Sequence, residues 1–388
     1  MMPMKHMLVM KLILGFVYIN LFLDSGESSY PGVDGGYHDH HMRRMALAKA
    51  THIVSQLQSS SKPLVLSKSR VIHVTEYGAD PRGRLDSTEA LQQAISDAFR
   101  SPVDGHLMEG VADLGGTEVH LDGGTYKISR PLRFPDTSGG NFMIHGGSLR
   151  ASDDFPTDGH LIELCPSSAS LLYEDVTLKD LMINSNFRGG GISVINSLRT
   201  TIDNCYVSHF TTNGILIQGG HETYVRNCFI GQHINVGGDR RERHFSGIGI
   251  NIMGNDNAVT DVVIFSGSIG IMVSGQANVL TGIHCYNKAT RWGGSGIYIK
   301  APGLTQTRIV NSYFDFTGVV AEDPVQLQIT GSFFLGNAFV LIKSLAGVVC
   351  GVNIVDNMFS GNRVTVETDM PLSATLHVSV DQSMVGYI

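Results

Sequence analysis

The stretch "TIDNCYVSHFTTNGILI", from Thr201 to Ile217, is echoed by "YVRNCFIGQ", which begins at Tyr224. An apolar residue, an Asn, a Cys and an aliphatic residue recur in both stretches at a spacing of 23 residues. The small or polar position of this phrase returns along the chain at Asp180, Asn204, Asn227, Asp261, Gly282, Asn311, Gly331 and Asp356. Repeats of 20 to 34 residues indicate a solenoid, in which each repeat forms one stacked unit.

A second phrase, a glycine followed by alternating apolar residues, runs in parallel with the first. It occurs as "GISVIN" at Gly191, "GILIQG" at Gly214, "GIGINI" at Gly247, "GIMVSG" at Gly270 and "GIYIKA" at Gly296. Two strand phrases per repeat, separated by Gly and Asn turns, predict an all-β fold, a right-handed single-stranded parallel β-helix. Asn and Asp at the bends tolerate left-handed backbone. Cys205 and Cys228 are then expected to stack in adjacent coils.

Composition narrows the class of protein. Of 388 residues only 16% are charged and 45 are glycine, which suits a turn-rich β protein. The formal net charge of −7 argues against nucleic acid as a partner, because neutralising phosphates requires clustered Lys and Arg. The five cysteines form no CxxC pair, and the run from His38 to His41 lacks the spacing of a ligand set. We therefore expect neither a metal nor another cofactor.

The N-terminal region predicts export. Lys5 and Lys11 accompany an apolar run from Leu12 to Leu23, which is too short to span a bilayer core of about 30 Å but suits a signal peptide. We assign residues 1–28 to the signal peptide and 29–69 to a leader or linker. The expected protein is secreted and leaves the membrane once the signal is removed, whereas an uncleaved anchor is the alternative.

The β-helix domain is predicted over residues 70–388, with an N-terminal cap at 70–114 and coils at about 115–365. The stretch "VIHVTEYGADPRGRLDSTEALQQAISDAF" predicts a strand, a turn and an amphipathic helix that begins near Asp86 and Ser87. Such a helix can cover the open end of a β-helix core. The following "GGTEVHLDGGTYKIS" predicts two strands around a tight turn.

These opening motifs resemble those of the pectate-lyase superfamily, in particular its rhamnogalacturonase- and epimerase-like group. The stretches "GNDNAVTDVVIFS", "HCYNKAT" and "AEDPVQL" are most similar to the QUARTET-type plant polygalacturonases. The resemblance covers about residues 70–365. It implies a monomeric, extracellular cell-wall hydrolase that cleaves α-1,4-galacturonan, with a pectic polysaccharide as its partner.

The usual catalytic motifs of polygalacturonases are replaced in this chain. Where their Asp-Asp pair belongs, the sequence has Thr212 and Asn213, and it has Ser246 at the Gly-His-Gly position. In "GIYIK", Lys300 and Tyr298 take the places of the Lys and the Arg of the Arg-Ile-Lys motif. The resemblance thus leaves the catalytic carboxylates unassigned.

Replacement carboxylates are predicted near the Gly-Ile strands. The inserted loop "GQHINVGGDRRERHFSG" mixes acidic residues with three arginines, which favour the ionised carboxylate that a general base needs. The predicted catalytic residues are Asp239, Glu242, His244 and Asp315. The alternative is a solvated charged loop. Glu322 and Asp323 are predicted to be structural, in a turn on another edge.

A galacturonan chain is a polyanion, so its binding site should contain cations. The stretch "HCYNKATRWGGSGIYIK" brings several together, and its Trp could stack on a sugar or simply pack over the coil edge. The predicted substrate-binding residues are His284, Lys288, Arg291, Trp292, Tyr298, Lys300 and Arg188.

Three functions remain open. The first is a polygalacturonase-like hydrolase. The second is a pectic lyase, which usually needs Ca²⁺, but no Gly-Ile strand carries the convergent Asp and Glu residues of a calcium site. The third is a non-catalytic pectin-binding or structural β-helix, which the missing Asp-Asp pair favours.

Overall fold

The computed structural model describes residues 70–100, 105–166, 173–232, 246–286, 295–301, 303–360, 364–369 and 371–381. All of them belong to the compact unit that extends from Ser67 to Ile388. Within these ranges, the strands are numbered β1 to β32 in chain order and form two sheets. The ten-stranded sheet contains β6 (Leu132–Arg133), β8 (His160–Leu164), β10 (Gly190–Ile195), β14 (Asn213–Gln218), β17 (Ile248–Ile252), β20 (Ile269–Val273), β23 (Ser295–Ile299), β26 (Gly318–Glu322), β29 (Phe339–Ser344) and β31 (Val364–Thr368).

The second sheet is larger and bent. Within the described residues it contains β1 (Val71–His73), β2 (Arg82–Asp86), β3 (His106–Met108), β4 (Val111–His120), β5 (Thr125–Ile128), β7 (Gly139–Ala151), β9 (Tyr173–Asn184), β11 (Ser197–Leu198), β12 (Thr201–Asp203), β13 (Tyr206–Ser208), β15 (Tyr224–Arg226), β16 (Phe229–Gly231), β18 (Ala258–Thr260), β19 (Val263–Phe265), β21 (Val279–Thr281), β22 (His284–Cys285), β24 (Thr307–Val310), β25 (Tyr313–Asp315), β27 (Leu327–Thr330), β28 (Phe333–Leu335), β30 (Val348–Phe359) and β32 (Ser373–Asp381).

Each typical coil has three strands, such as β14, β15 and β16, before the chain enters the next coil at β17. The strands of successive coils pair in parallel, so that β15 lies between β12 and β18, whereas β3 pairs antiparallel with β4 in the cap. The prediction of a right-handed parallel β-helix is confirmed. The Asn-Cys phrase forms two short strands joined by a bend, rather than a single strand.

The bends use the left-handed backbone that their residues were predicted to tolerate. All eight repeat positions have φ between 51° and 64°. Two of these side chains are also joined across adjacent coils, where Asn204 Nδ2 donates a hydrogen bond to Asp180 Oδ1 at 2.7 Å. Because Asn, Asp and Gly reach this φ at the lowest cost, the repeat in the sequence directly records the bends of the solenoid.

The core is a set of aligned apolar rows inside the coils. In one row, Ile202, Val225 and Val259 occupy successive coils and are fully buried. The main-chain N–H of Cys205 donates to Sγ of Cys228 at 3.4 Å, which confirms that the two cysteines stack. All five cysteines are free thiols, and the buried ones serve as small apolar side chains.

A column of glycines fixes the register of the ten-stranded sheet and corrects one sequence alignment. A Cβ added to Gly214 would lie 2.6 Å from the carbonyl oxygen of Gly249, and one added to Gly249 would lie 2.5 Å from that of Gly270. The column therefore contains Gly249. The sequence analysis placed Gly247, the first residue of "GIGINI", at this position, and that alignment is wrong. In consequence, the residue that precedes the column glycine is Ile248 rather than Ser246.

The N-terminal cap consists of a 3-10 helix, Val74–Tyr77, and the helix α1, Thr88–Phe99. Asp86 accepts a hydrogen bond from the N–H of Thr88 at 3.0 Å, whereas the Ser87 hydroxyl accepts one from the N–H of Asp80 at 2.9 Å. The helix buries its apolar face on the end of the core, where the Phe99 ring meets an aromatic cluster.

Parallel pairing begins at β1 and continues to β32, a wider span than residues 115–365. No helix in the described ranges has both the length and the apolar character needed to cross a membrane.

Candidate functional site

The outer face of the ten-stranded sheet carries a row of side chains at the centre of successive strands. From β8 to β31 this row contains Glu163, Ser193, Leu216, Asn251, Met272, Tyr298, Val320, Leu341 and Thr365. With strands about 4.8 Å apart, the row is roughly 38 Å long. A face of this length can accommodate several sugar units of an extended polysaccharide.

A lysine–glutamate cluster, formed by Tyr298, Lys300, Glu322 and Lys343, lies on three adjacent strands of this face. Lys300 Nζ is 3.4 Å from Glu322 Oε2, and the Tyr298 hydroxyl donates a hydrogen bond to Glu322 Oε1. Lys343 is the register partner of Glu322 on β29. The carboxylate of Glu322 therefore contacts one ammonium group and one phenol, and Lys343 is its neighbour on the next strand.

The exposure of these groups determines which of them can meet a ligand. The Glu322 side chain is 11% exposed, whereas that of Lys300 is 62% exposed. Lys300 is therefore the member of the pair that can contact an anionic ligand from solvent, whereas Glu322 is held beneath it. Burial and the bond to Glu322 raise the pKa of Tyr298 to about 12, which keeps its hydroxyl neutral as a donor.

The placement of Glu322 corrects the sequence analysis. It was predicted to be structural in a turn on another edge, but it ends β26 on the same face as Lys300. Asp323, by contrast, lies in the turn and accepts hydrogen bonds from the N–H groups of Leu345 and Ala346, both at 2.9 Å. In "GVVAE", Glu322 lies two residues after the outward-facing Val320 and therefore on the same face of the strand. This alternation is the sequence signal that could have identified Glu322 as a site residue.

Lys343 was also missed. In "FVLIK" it occupies the position that Lys300 occupies in "GIYIK", since each lysine follows an inward isoleucine near the end of its strand. The Gly-Ile phrase alone could not identify it, because β29 begins with Phe339 instead of glycine.

Asp315 and His284 lie on the larger sheet. Asp315 ends β25, and its Oδ2 is 4.0 Å from Nε2 of His284 on β22. The Nδ1 atom of His284 is 3.1 Å from the Tyr286 hydroxyl. Burial raises the pKa of Asp315, while the charge of His284 opposes the shift. The raised pKa favours the protonated carboxyl, the form that a general acid uses. The structure thus pairs Asp315 with His284, and Lys300 with Glu322.

Arg188 lies in the turn before β10. Its Nε donates a hydrogen bond to the carbonyl oxygen of Phe155 at 2.9 Å, which ties the side chain to the preceding coil. The remaining predicted site residues lie outside the described residues, and their roles stay predictions; they are Asp239, Glu242, His244, Lys288, Arg291 and Trp292.

Comparison with known proteins agrees with this architecture. Residues 71–313 match the family model described as rhamnogalacturonase A/epimerase, pectate lyase-like. A curated relative, Polygalacturonase QRT3 of Arabidopsis thaliana, is 60% identical over 333 residues, which cover 84% of this chain and 69% of the relative.

Solved structures show the same fold at low sequence identity. A mutant tailspike protein of E. coli bacteriophage HK620, in complex with a pentasaccharide, has a TM-score of 0.53 at 10% identity and covers 81% of this chain and 66% of its own. The A-module of the mannuronan C-5 epimerase AlgE6 of Azotobacter vinelandii has a TM-score of 0.50 at 14% identity, covering 80% of this chain and 97% of its own. Likeness at such identities concerns the fold alone.

Proposed function

This chain belongs to the rhamnogalacturonase A/epimerase, pectate lyase-like family, and from that membership we propose that it is a secreted polygalacturonase that hydrolyses α-1,4-galacturonan of the plant cell wall. The observation that carries the proposal is the 60% identity to Polygalacturonase QRT3 over 84% of this chain. The lysine–glutamate cluster supports it, because two ammonium groups on a long flat face suit a polymer that carries a carboxylate on each sugar.

In this proposal the substrate lies along the outer face of the ten-stranded sheet and crosses its strands. Lys300 and Lys343 bind uronate carboxylates, and the neutral Tyr298 hydroxyl orients Glu322. The Glu322 carboxylate, oriented by the Tyr298 hydroxyl and the Lys300 ammonium, is placed to activate a water for attack on the glycosidic carbon.

Inverting hydrolysis needs a second carboxyl group roughly 6.5 to 9.5 Å from the first. Glu367 is two strands from Glu322 in the same outward row, a backbone separation of about 9.6 Å. The segment that precedes β17 lies outside the described residues and contains Asp239 and Glu242, whose proposed role rests on the sequence. Substitution of each of these three residues identifies the acid.

A non-catalytic pectin-binding protein is the second candidate. The observation that favours it is the outer face from β10 to β23, where the central row contains Ser193, Leu216, Asn251, Met272 and Tyr298 and no carboxylate. In this alternative, the lysines bind the polymer and no bond is cleaved.

One experiment separates the candidates. Purified protein is incubated with de-esterified polygalacturonate, and reducing ends, unsaturated uronate products and calorimetric binding are measured together. Reducing ends without unsaturation support the hydrolase. Unsaturated products would instead establish a lyase, and binding without any cleavage would establish the non-catalytic protein.

Secretion is a separate part of the proposal and rests on the apolar run from Leu12 to Leu23. Expression in plant cells should deliver a mature chain that begins between residues 26 and 29. N-terminal sequencing of the extracellular fraction checks this, and an intact Met1 on intracellular protein would contradict it.

A further inference from the structure

A group of two histidines and one aspartate, the His73 triad of His73, His120 and Asp122, lies at the N-terminal end of the larger sheet. His73 ends β1 and His120 ends β4, and the two residues are register partners on adjacent parallel strands. Asp122 follows two residues later with a φ of 51°. This left-handed turn brings its carboxylate to the two imidazoles, on a different sheet from the lysine–glutamate cluster.

The ligand atoms of the triad converge on one point. Oδ1 of Asp122 is 2.6 Å from Nδ1 of His73 and 2.9 Å from Nδ1 of His120. The three atoms all lie within 4.8 Å of one another. Such a meeting of two imidazole nitrogens and one carboxylate oxygen, all electron-pair donors when deprotonated, requires protons or a cation between them.

The surroundings hold these groups in place. Oδ2 of Asp122 accepts a hydrogen bond from the Thr75 hydroxyl at 2.7 Å, which leaves Oδ1 to face the histidines. The His120 ring lies between the rings of His73 and His145, with centroid distances of 5.5 and 4.7 Å. Hydrogen bonds to a ligating carboxylate and packing around a ligating imidazole are the features that orient ligands at metal sites.

The main chain also favours an unprotonated Nδ1 atom, with a free lone pair, on His120. The N–H of Asp122 points at Nδ1 of His120 at 3.3 Å, so this nitrogen accepts a hydrogen bond when it carries no proton. The other ring nitrogen of His120 faces Gly146, where an added Cβ would lie 3.0 Å away. A neutral imidazole with Nδ1 unprotonated is the form that binds a metal.

We propose that His73, His120 and Asp122 bind a divalent transition-metal ion of the zinc, nickel and copper class. Two imidazole nitrogens and one carboxylate oxygen match the ligand preference of these ions, whereas calcium and magnesium prefer oxygen alone. Metal–ligand distances of about 2.0–2.2 Å place tetrahedral ligands roughly 3.3 Å apart, so each imidazole nitrogen needs to move away from Asp122 Oδ1 by only about 0.4–0.7 Å.

The site is open to solvent. The side chains of His73, His120 and Asp122 are 44%, 32% and 20% exposed, which leaves room for water in a fourth position. A bound ion would join β1 to β4, that is, the cap to the next coil. We therefore expect the metal to stabilise the N-terminal end of the β-helix, independently of any activity toward pectin.

The test is zinc binding by the full chain, measured by isothermal titration calorimetry after chelator treatment. The run from His38 to His41 can contribute zinc binding of its own, so the readout is the difference between variants of the same chain. His120→Asn and Asp122→Asn should each lose one equivalent of zinc or weaken it at least tenfold. Zinc should also raise the melting temperature of the wild type more than that of either variant.

His221→Asn is the matched control. His221 Nδ1 lies 3.3 Å from Asp256 Oδ2, an exposed His–Asp pair outside the triad. This variant should bind zinc as the wild type does. His73→Asn, which changes a more exposed ligand, provides a further variant should His120→Asn fail to fold. Equal zinc stoichiometry and affinity in the wild type and the triad variants would overturn the proposal, whatever the result of the pectin assays.

Discussion

Lys300 Nζ and Glu322 Oε2 lie 3.4 Å apart on two neighbouring parallel strands, and they differ sharply in exposure, at 62% and 11%. The lysine thus faces solvent while the carboxylate is held beneath it by the Tyr298 hydroxyl. Because only the lysine of this pair is exposed, an incoming uronate can contact Lys300 while the carboxylate of Glu322 stays in place. This relationship separates substrate binding from chemistry and makes each testable by itself.

The first prediction concerns Glu322 as a catalytic carboxylate. Glu322→Gln preserves volume and removes the charge, so we expect kcat on polygalacturonate to fall by about 100- to 1000-fold with little change in KM. Reducing-end release measures both constants. Glu222→Gln is the matched control, because Glu222 is a more exposed carboxylate that contacts Arg199 in the turns beside the larger sheet. Full activity in Glu322→Gln would remove Glu322 from the mechanism.

The second carboxyl group is identified in the same assay. Glu367→Gln, Asp239→Asn and Glu242→Gln are compared, and the acid should be the residue whose amide variant loses kcat while binding polygalacturonate nearly as the wild type does. A loss in Glu367→Gln alone would assign the inverting pair to one outward row of the sheet. Retained activity in all three would contradict the proposed pairing.

The third prediction concerns binding by Lys300. Lys300→Ala should weaken the affinity for polygalacturonate by about tenfold, since one charge-assisted contact to a carboxylate is lost, and Lys300→Arg should retain most of it. Calorimetry at low and moderate salt measures the effect, which should shrink as salt screens the contact. Lys127→Ala is the control, because Lys127 Nζ contacts the carbonyl oxygen of Arg84 at the N-terminal end. An equal loss in the control would refute the assignment.

The sequence predicted the fold because its repeat consists of residues with a backbone requirement. The Asn, Asp and Gly positions all adopt left-handed φ, so their periodicity records the bends. The register of the strands in the ten-stranded sheet was harder to predict than their existence. In "GIGINI" two Gly-Ile pairs follow each other, and only the close approach of Gly249 to Gly270 shows which glycine belongs to the column.

The sites were harder to predict, because they depend on neighbours in space. Glu322 precedes an Asp-Pro pair that is typical of a turn, and this local pattern outweighed the strand alternation that points it outward. His73 and His120 are separated along the chain by the helix α1, and no periodicity links them. Their adjacency follows from the register of β1 on β4, which the sequence does not specify.

The fourth prediction follows from the raised pKa of Asp315. Between the unfolded and the folded pKa the native protein binds more protons than the unfolded chain, so stability falls as pH rises through that window. Asp315→Asn removes this penalty, and its free energy of unfolding should exceed that of the wild type at pH 7 but not below about pH 3.9. Urea unfolding at both pH values tests the sign. A variant that is less stable than the wild type at neutral pH would contradict the argument.

The fifth prediction concerns the aromatic row that fills the C-terminal coils. Phe334 is fully buried, and its ring stacks between those of Phe314 and Phe359 at centroid distances of 4.8 and 4.4 Å. Phe334→Ala should therefore lower the free energy of unfolding by about 3–5 kcal/mol, because it leaves a cavity between two coils. Phe333→Ala on the same strand is the control: its ring faces outward against Tyr313, so its loss should cost about 1 kcal/mol. Urea unfolding compares the two, and equal losses would show that the inner row does not carry the stability of these coils.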